Sequence, residues 1–102
     1  MTLRVSVGIV LHDSADDIQG CLTALSAQTR PPDAVVVFDN ASTDDGLDRA
    51  RRVLPFARFE RSSINIGFAA GQNRAMAFEP ADVHILLNPD CLLAPALSLI
   101  HI

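Results

Sequence analysis

The sequence contains no lysine: all eight of its basic residues are arginine. A site that needs a lysine ammonium is therefore excluded, and with the many alanines the bias points to a GC-rich coding sequence. No basic stripe is present, and the net charge is −4, contributed mainly by Asp. A general nucleic-acid binder would carry clustered positive charge, so that class is disfavoured. Only two cysteines occur, Cys21 and Cys91. Without a secretory signal they are expected to be free thiols of a reducing compartment, packed as small core residues. The N-terminal apolar run, Leu3 to Leu11, is too short for a membrane span and has no cleavage-site pattern. A cytoplasmic location follows as the expectation. No repeat, low-complexity tract or interdomain linker interrupts the 102 residues, which suit one small domain. With 49% hydrophobic residues the chain can build a packed core.

What is present is an alternation of two periodicities. Leu3–Leu11 predicts a first strand. Ser14 is expected to cap a helix, with Asp17 completing a capping box. Ile18, Cys21, Leu22 and Leu25 then recur at helical spacing until Pro31-Pro32. Ala34–Phe38 predicts a second strand, and its unbroken valine run suggests burial on both faces, as in a parallel sheet. Ser42-Thr43-Asp44-Asp45 opens a second helix that carries Leu47, Ala50, Val53 and Leu54 and closes at Pro55. Ala57–Arg61 predicts a short third strand, Phe68–Phe78 a helix, and Val83–Leu87 a fourth strand. Met76, Phe56, Phe59 and Phe78 are expected in the core. The order implies an α/β layered domain with mostly parallel strands and right-handed crossovers.

Two of the strands stop abruptly at acidic residues, VVVFDNAS at Val35–Ser42 and ILLNPD at Ile85–Asp90. In an open parallel sheet, ligands bind beyond the carboxyl ends of the strands. Asp39 and Asp90 are therefore candidates for one cleft although they lie about 50 residues apart. Asp39 either accepts a hydrogen bond from a base N–H, selecting a pyrimidine with a protonated ring nitrogen, or forms a turn with Asn40. Ser42 either caps the second helix or offers that helix N-terminus to an anion. Gly67 and Gly71 allow close backbone approach in the loop before the third helix. Asn73 brings a bifunctional amide there and Arg74 a fork suited to phosphate, the alternative being that Gly67 is a turn residue and Arg74 a solvated side chain. In Asn88-Pro89-Asp90, Pro89 stops the strand beside a carboxylate that is either a hard cation ligand or simply part of a turn. Such a group holds Mg²⁺ or Mn²⁺ with the help of substrate phosphates, and the metal would neutralise charge on a diphosphate leaving group. His12-Asp13 ends the first strand at the same edge, as a lid over a base or as a polar strand end. His84 and His101 are not credible ligands.

Taken together, VGIVLHDSADDIQGCLTAL, VVVFDNASTDD, NIGFAAGQNRAMA and HILLNPDCLLAP resemble the family 2 glycosyltransferases of the GT-A fold. The closest likeness is to the rhamnosyltransferase-like branch that builds cell-wall and surface polysaccharide. The four segments fall in family order and cover nearly all of Val5–Pro95. The resemblance implies a three-layer α/β/α nucleotide-diphospho-sugar transferase fold. Residues 1–96 would be its donor-binding N-terminal part. It implies a dTDP- or UDP-sugar donor and a glycan or lipid-linked acceptor, with work at the inner face of the cell membrane. Asp39 would contact the uracil or thymine ring. Asp90 would stand where the family's second DXD aspartate meets the metal, with Asn88 in place of the first acid. Asn73 and Arg74 would lie beside the donor, and Ala75 takes a place usually held by Gly. His12-Asp13 occupies a position where the family often has Tyr-Asn. The base that deprotonates the acceptor is expected downstream, so this part alone is expected to be inactive.

The last six residues, Leu97–Ile102, are what CTGTCTCTTATACACATC encodes, a string that resembles a transposon-end sequencing adapter. They are expected to be a non-native tail and are excluded from fold reasoning. Two other classes compete with the transferase. One is a non-catalytic nucleotide-binding module. The other is a receiver-like signalling domain, which wants an acidic pair after the first strand and a lysine; the sequence offers only Asp13 and no lysine.

Overall fold

A computed structural model describes residues 3–92. Its elements run β1 (Val5–Leu11), α1 (Ala15–Ser26), β2 (Ala34–Asn40), α2 (Gly46–Val53), β3 (Arg58–Ser62), α3 (Phe68–Ala77) and β4 (Val83–Leu87). The four strands form one sheet in the order β3-β2-β1-β4. Each pairing is parallel, with Leu11 opposite Asp39 and Asp39 opposite Arg61. The proposed tail at 97–102, and the boundary at 96, lie outside the described residues.

Alternation along the strands divides the core in two. Val5, Val7, Ile9 and Leu11 pack with Ile18, Cys21, Leu22 and Leu25 of α1 and with Leu47 and Ala50 of α2. Val36 and Phe38 point the other way and meet Ala75 of α3. The sheet is thus sandwiched between α1 and α2 on one face and α3 on the other, as the parallel pattern implied. All seven residues of β1 are buried, which fits a run that is apolar but for Ser6 and Gly8. Gly8 lets α3 approach: a Cβ there would lie 3.1 Å from Gln72 Oε1 and 3.3 Å from the Ala75 Cβ.

This topology has a direction change. The chain moves from β1 through β2 to β3 on one side, with α1 and α2 on one face. It then returns by α3, on the opposite face, to place β4 on the other side of β1. The switch point therefore falls between β1 and β4, where a crevice opens beyond the carboxyl ends of the strands. β4 is an edge strand, and Leu86 is half exposed on it.

Three expectations are corrected. β2 continues through Asn40, so Asp39 and Asn40 are paired strand residues and not a free turn. Ser14 makes no side-chain cap on α1; its hydroxyl bonds back to the His12 carbonyl instead. Phe56 is 85% exposed in the turn between α2 and β3, where Leu54 and Ala57 are the residues that pack against the core.

Candidate functional site

At the carboxyl rim the turns after β1 and β2 are tied into one unit. Asp13 Oδ1 accepts from the Thr43 N–H at 2.6 Å and from its hydroxyl at 3.0 Å. Ser42 Oγ accepts from the Asp13 N–H at 3.0 Å. Asp44 serves two helices: Oδ2 accepts from the Ala15 N–H of α1 and Oδ1 from the Gly46 N–H of α2, each at 3.0 Å. Arg49 adds a third tie through Asp45 and the Ala15 carbonyl. The Thr43 bonds hold the Asp13 carboxyl below the ordinary carboxylate value. Two residues adopt left-handed backbone in this clasp, Asp13 at φ 50° and Ala41 at φ 57°. For Ala this is a costly conformation, of the kind that accumulates at functional sites.

On the other face Asn40 orders the entry to α3. Its Nδ2 donates to the Gly67 carbonyl at 3.0 Å and its Oδ1 accepts from the Ile66 N–H at 2.8 Å. Gly67, at φ 89°, supplies the left-handed turn that starts α3. His12 Nδ1 lies 2.8 Å from the Asn40 carbonyl. A carbonyl only accepts, so Nδ1 carries the proton and Nε2 is left facing Asp13 at 3.7 Å.

Between these supports, at the switch point, lies a cleft of about 470 Å³ lined by Val10, His12, Ser14, Asp17, Asn40, Asn65, Phe68, Asn88, Pro89 and Asp90. The structure thus brings together His12, Asn40, Asn88 and Asp90 from three candidate segments. Asp90 is exposed at its edge. Cys21, beneath this edge, donates weakly to the Asn88 carbonyl at 3.7 Å. Burial, with smaller contributions from Cys91 and Asp90, pushes its thiol up to about 12, so it stays protonated. The two cysteines are free.

Other candidates sit elsewhere. Asp13 and Ser42 are engaged in the clasp, which uses the polar atoms that would otherwise meet a ligand. Asn73 and Arg74 are exposed on α3 and do not line the cleft, because the helix runs away from the rim and turns its Gly71-Gln72-Ala75 face to the sheet. Asp39 ends up just behind the cleft. It shares the α1/α2 face with Leu11 and Val37, its side chain is 1% exposed, and its Oδ1 has no hydrogen-bond partner. Asp39 and Asp90 nevertheless share one rim, since all strands are parallel. β1 lies between the strand that carries Asp39 and the strand that leads to Asp90. Sequence reasoning missed Asp17, Asn65 and Phe68 as lining residues. Phe68 is 56% exposed at the first turn of α3, and a large aromatic directly after a glycine turn was the available signal.

Among the described residues no group of three His, Cys, Asp or Glu side chains forms a metal cage. The cleft lining holds two carboxylates, Asp17 and Asp90, and Asp90 fits a cation of the Mg²⁺ or Mn²⁺ type, which takes one or two carboxylates and completes its shell with water and phosphate oxygens. No helix among the described residues is long and apolar enough to cross a membrane.

Comparison with known proteins places this rim in context. A family model described as glycosyl transferase family 2 matches residues 6–100. No curated protein matches. Among solved structures, the chain is similar to a mannosyltransferase from Pyrobaculum calidifontis in complex with GDP-Man and Mn²⁺. The TM-score is 0.80 at 26% identity, over 90% of this chain and 29% of that one. It is also similar to S. aureus TarS 1-349 in complex with UDP, with TM-score 0.77 and 23% identity over 85% of this chain and 27% of that one. A third is glucosyl-3-phosphoglycerate synthase from Mycobacterium tuberculosis in complex with Mn²⁺, UDP and glucosyl-3-phosphoglycerate. Here the TM-score is 0.72 at 20% identity, over 85% and 33% of the two chains. The chain therefore spans about a third or less of the structures it matches.

Proposed function

The chain belongs to glycosyl transferase family 2, and from that premise we propose that it binds the activated-sugar donor of a sugar transfer, with a divalent cation between Asp90 and the donor's diphosphate. Its α/β/α sandwich has the GT-A nucleotide-sugar transferase fold. The donor in this proposal is a dTDP- or UDP-sugar, with rhamnose as the transferred sugar. The acceptor is a growing cell-wall polysaccharide or a lipid-linked glycan, met in the cytoplasm at the inner face of the membrane. Support for a metal-bound nucleotide comes from the neighbours whose structures hold GDP-Man with Mn²⁺ and UDP with Mn²⁺.

The observation that carries the proposal is a buried, unpartnered carboxylate oxygen, Asp39 Oδ1, on the same rim as the exposed Asp90. A buried acceptor without a donor is costly, and native proteins rarely tolerate one without a purpose. A base N–H would satisfy it. Asn88 and His12 Nε2 would then line the path of the diphosphate, and Phe68 would offer an apolar wall. The cation supplies charge neutralisation for the leaving diphosphate. In the transfer itself an acceptor hydroxyl oxygen bonds to the sugar's anomeric carbon, the bond from that carbon to the diphosphate oxygen breaks, and the hydroxyl proton passes to a base. No described residue is assigned as that base.

Calorimetric titration with UDP and dTDP, with and without Mn²⁺, tests the proposal. Mn²⁺ is expected to tighten binding in the wild type and to lose that effect in Asp90→Ala. Binding that ignores both Mn²⁺ and Asp90 would contradict the assignment.

A further inference from the structure

Building on the donor-binding reading above, we infer that Arg61 determines which nucleobase the domain accepts, by covering one oxygen of the Asp39 carboxylate and leaving the other for a single ring N–H. Asp39 and Arg61 are register partners at the carboxyl ends of β2 and β3. Arg61 Nε stands 3.5 Å from Asp39 Oδ2. Its Nη2 donates to the Ser42 carbonyl at 3.1 Å, which holds the guanidinium on the Oδ2 side. The pair is not the two-pronged fork that Arg and a carboxylate can form. Oδ1 is left over, buried and without a donor. The Arg61 side chain is itself 58% exposed, so it is the accessible member of the pair.

This arrangement holds one unpaired acceptor, Oδ1, beside one cationic donor; Oδ1 is buried and outside the cleft lining, so in this inference a base reaches it as the exposed Arg61 side chain shifts. Uracil and thymine present the matching edge, a ring N–H between two carbonyl oxygens. The N–H satisfies Oδ1, and one carbonyl faces the guanidinium. Guanine presents a ring N–H beside an amino group. It either sets two donors against one free oxygen or turns its carbonyl to Arg61 and leaves the amino group unpaired. Cytosine and adenine place a bare ring nitrogen, itself an acceptor, against the carboxylate. A site built to pair polar groups rejects a ligand that leaves them unpaired. Without Arg61 both Asp39 oxygens are free, and the two-donor edge of guanine becomes the better match. Arg61 is an arginine on an exposed edge strand, and its place beside Asp39 becomes visible only through the β2–β3 register.

The test is calorimetric titration of the full chain with UDP, dTDP, GDP and CDP in Mn²⁺, on the wild type, Arg61→Met and Arg61→Gln. The wild type is expected to bind UDP and dTDP about tenfold or more tighter than GDP, the scale of one hydrogen bond to a charged group. Arg61→Met is expected to shrink that ratio to about threefold or less, by weakening UDP and strengthening GDP. Arg61→Gln, which keeps a donor without the charge, gives a second measure should the Met variant fold poorly. A wild type that prefers GDP, or a ratio unchanged in both variants, overturns the role of Arg61. If all four nucleotides bind weakly or not at all to the wild type, the donor-binding reading itself falls, and this inference with it. If Asp39→Asn abolishes UDP binding while both Arg61 variants keep the wild-type ratio, the donor site stands and only Arg61's role is lost.

Discussion

Asp13 holds Thr43 by two hydrogen bonds to one carboxylate oxygen, at 2.6 Å from the backbone N–H and 3.0 Å from the hydroxyl. The turns after β1 and β2 are thereby tied together at the rim that faces the cleft.

The same bonds give a pH signature. The Thr43 N–H, then its hydroxyl, hold the Asp13 carboxyl below its ordinary value of 3.8. The Val5 N–H, bound at 2.7 Å, does the same for Asp33. A carboxyl lowered in the folded state contributes stability that is complete above the unfolded value and disappears as pH falls through the folded value. Stability is therefore expected to hold steady at neutral pH and to drop below about 3.8. Urea midpoints measured down the acid limb check this. Asp13→Asn should flatten the limb, and a profile parallel to the wild type would contradict the assignment.

Asp44 caps two helices with one side chain. Asp44→Ala is expected to cost about 1–2 kcal/mol, the usual scale for a lost N-cap. Asp44→Asn keeps one acceptor oxygen and should lose less. Urea denaturation distinguishes the two, and equal stability of wild type and Asp44→Ala would refute the double cap.

Ala41 sits at φ 57°, where its Cβ is strained. Ala41→Gly is expected to stabilise the fold by about 0.5–1 kcal/mol, the relief of left-handed strain less the entropy that glycine adds to the unfolded chain. A lowered midpoint in thermal melts would show that the turn is not left-handed in solution.

Gly8 is the contact point of β1 with α3. A valine there would push against Gln72 and Ala75, whose atoms lie 3.1 and 3.3 Å from the position of its Cβ. Gly8→Val is expected to destabilise by about 1–3 kcal/mol despite the better strand propensity of valine. Because α3 also carries Phe68 at the cleft, nucleotide affinity should fall with it. Unchanged stability and affinity would mean that α3 stands further off the sheet.

Much of the fold was legible in periodicity. The valine run of β2 announced a buried parallel strand, and the apolar spacing in Ile18–Leu25 placed α1 correctly. The acidic residues at the ends of the apolar runs, Asp39 and Asp90, pointed to one rim, since strand ends in a parallel sheet all point one way, although β2 itself continues through Asn40. What stayed hidden depends on contacts between segments distant in sequence. Ser14 looked like a helix cap, yet the capping oxygen comes from Asp44, 29 residues beyond the Ala15 N–H that it accepts. Asp13 and Ser42 looked like ligand-facing groups, but the first job of their polar atoms is to bind each other's turns. Arg74 has the chemistry for phosphate, and its place outside the cleft lining shows only once α3 is packed on the sheet. Arg61 had no local signal, because its importance lies in standing opposite Asp39.

A crystal structure of the chain with UDP and Mn²⁺ would test the central claim most directly. The account predicts the ion bound to the Asp90 carboxylate and the diphosphate, with the uracil ring N–H at Asp39 Oδ1. A nucleotide seated at the amino-terminal rim of the sheet, or an ion remote from Asp90, would contradict it.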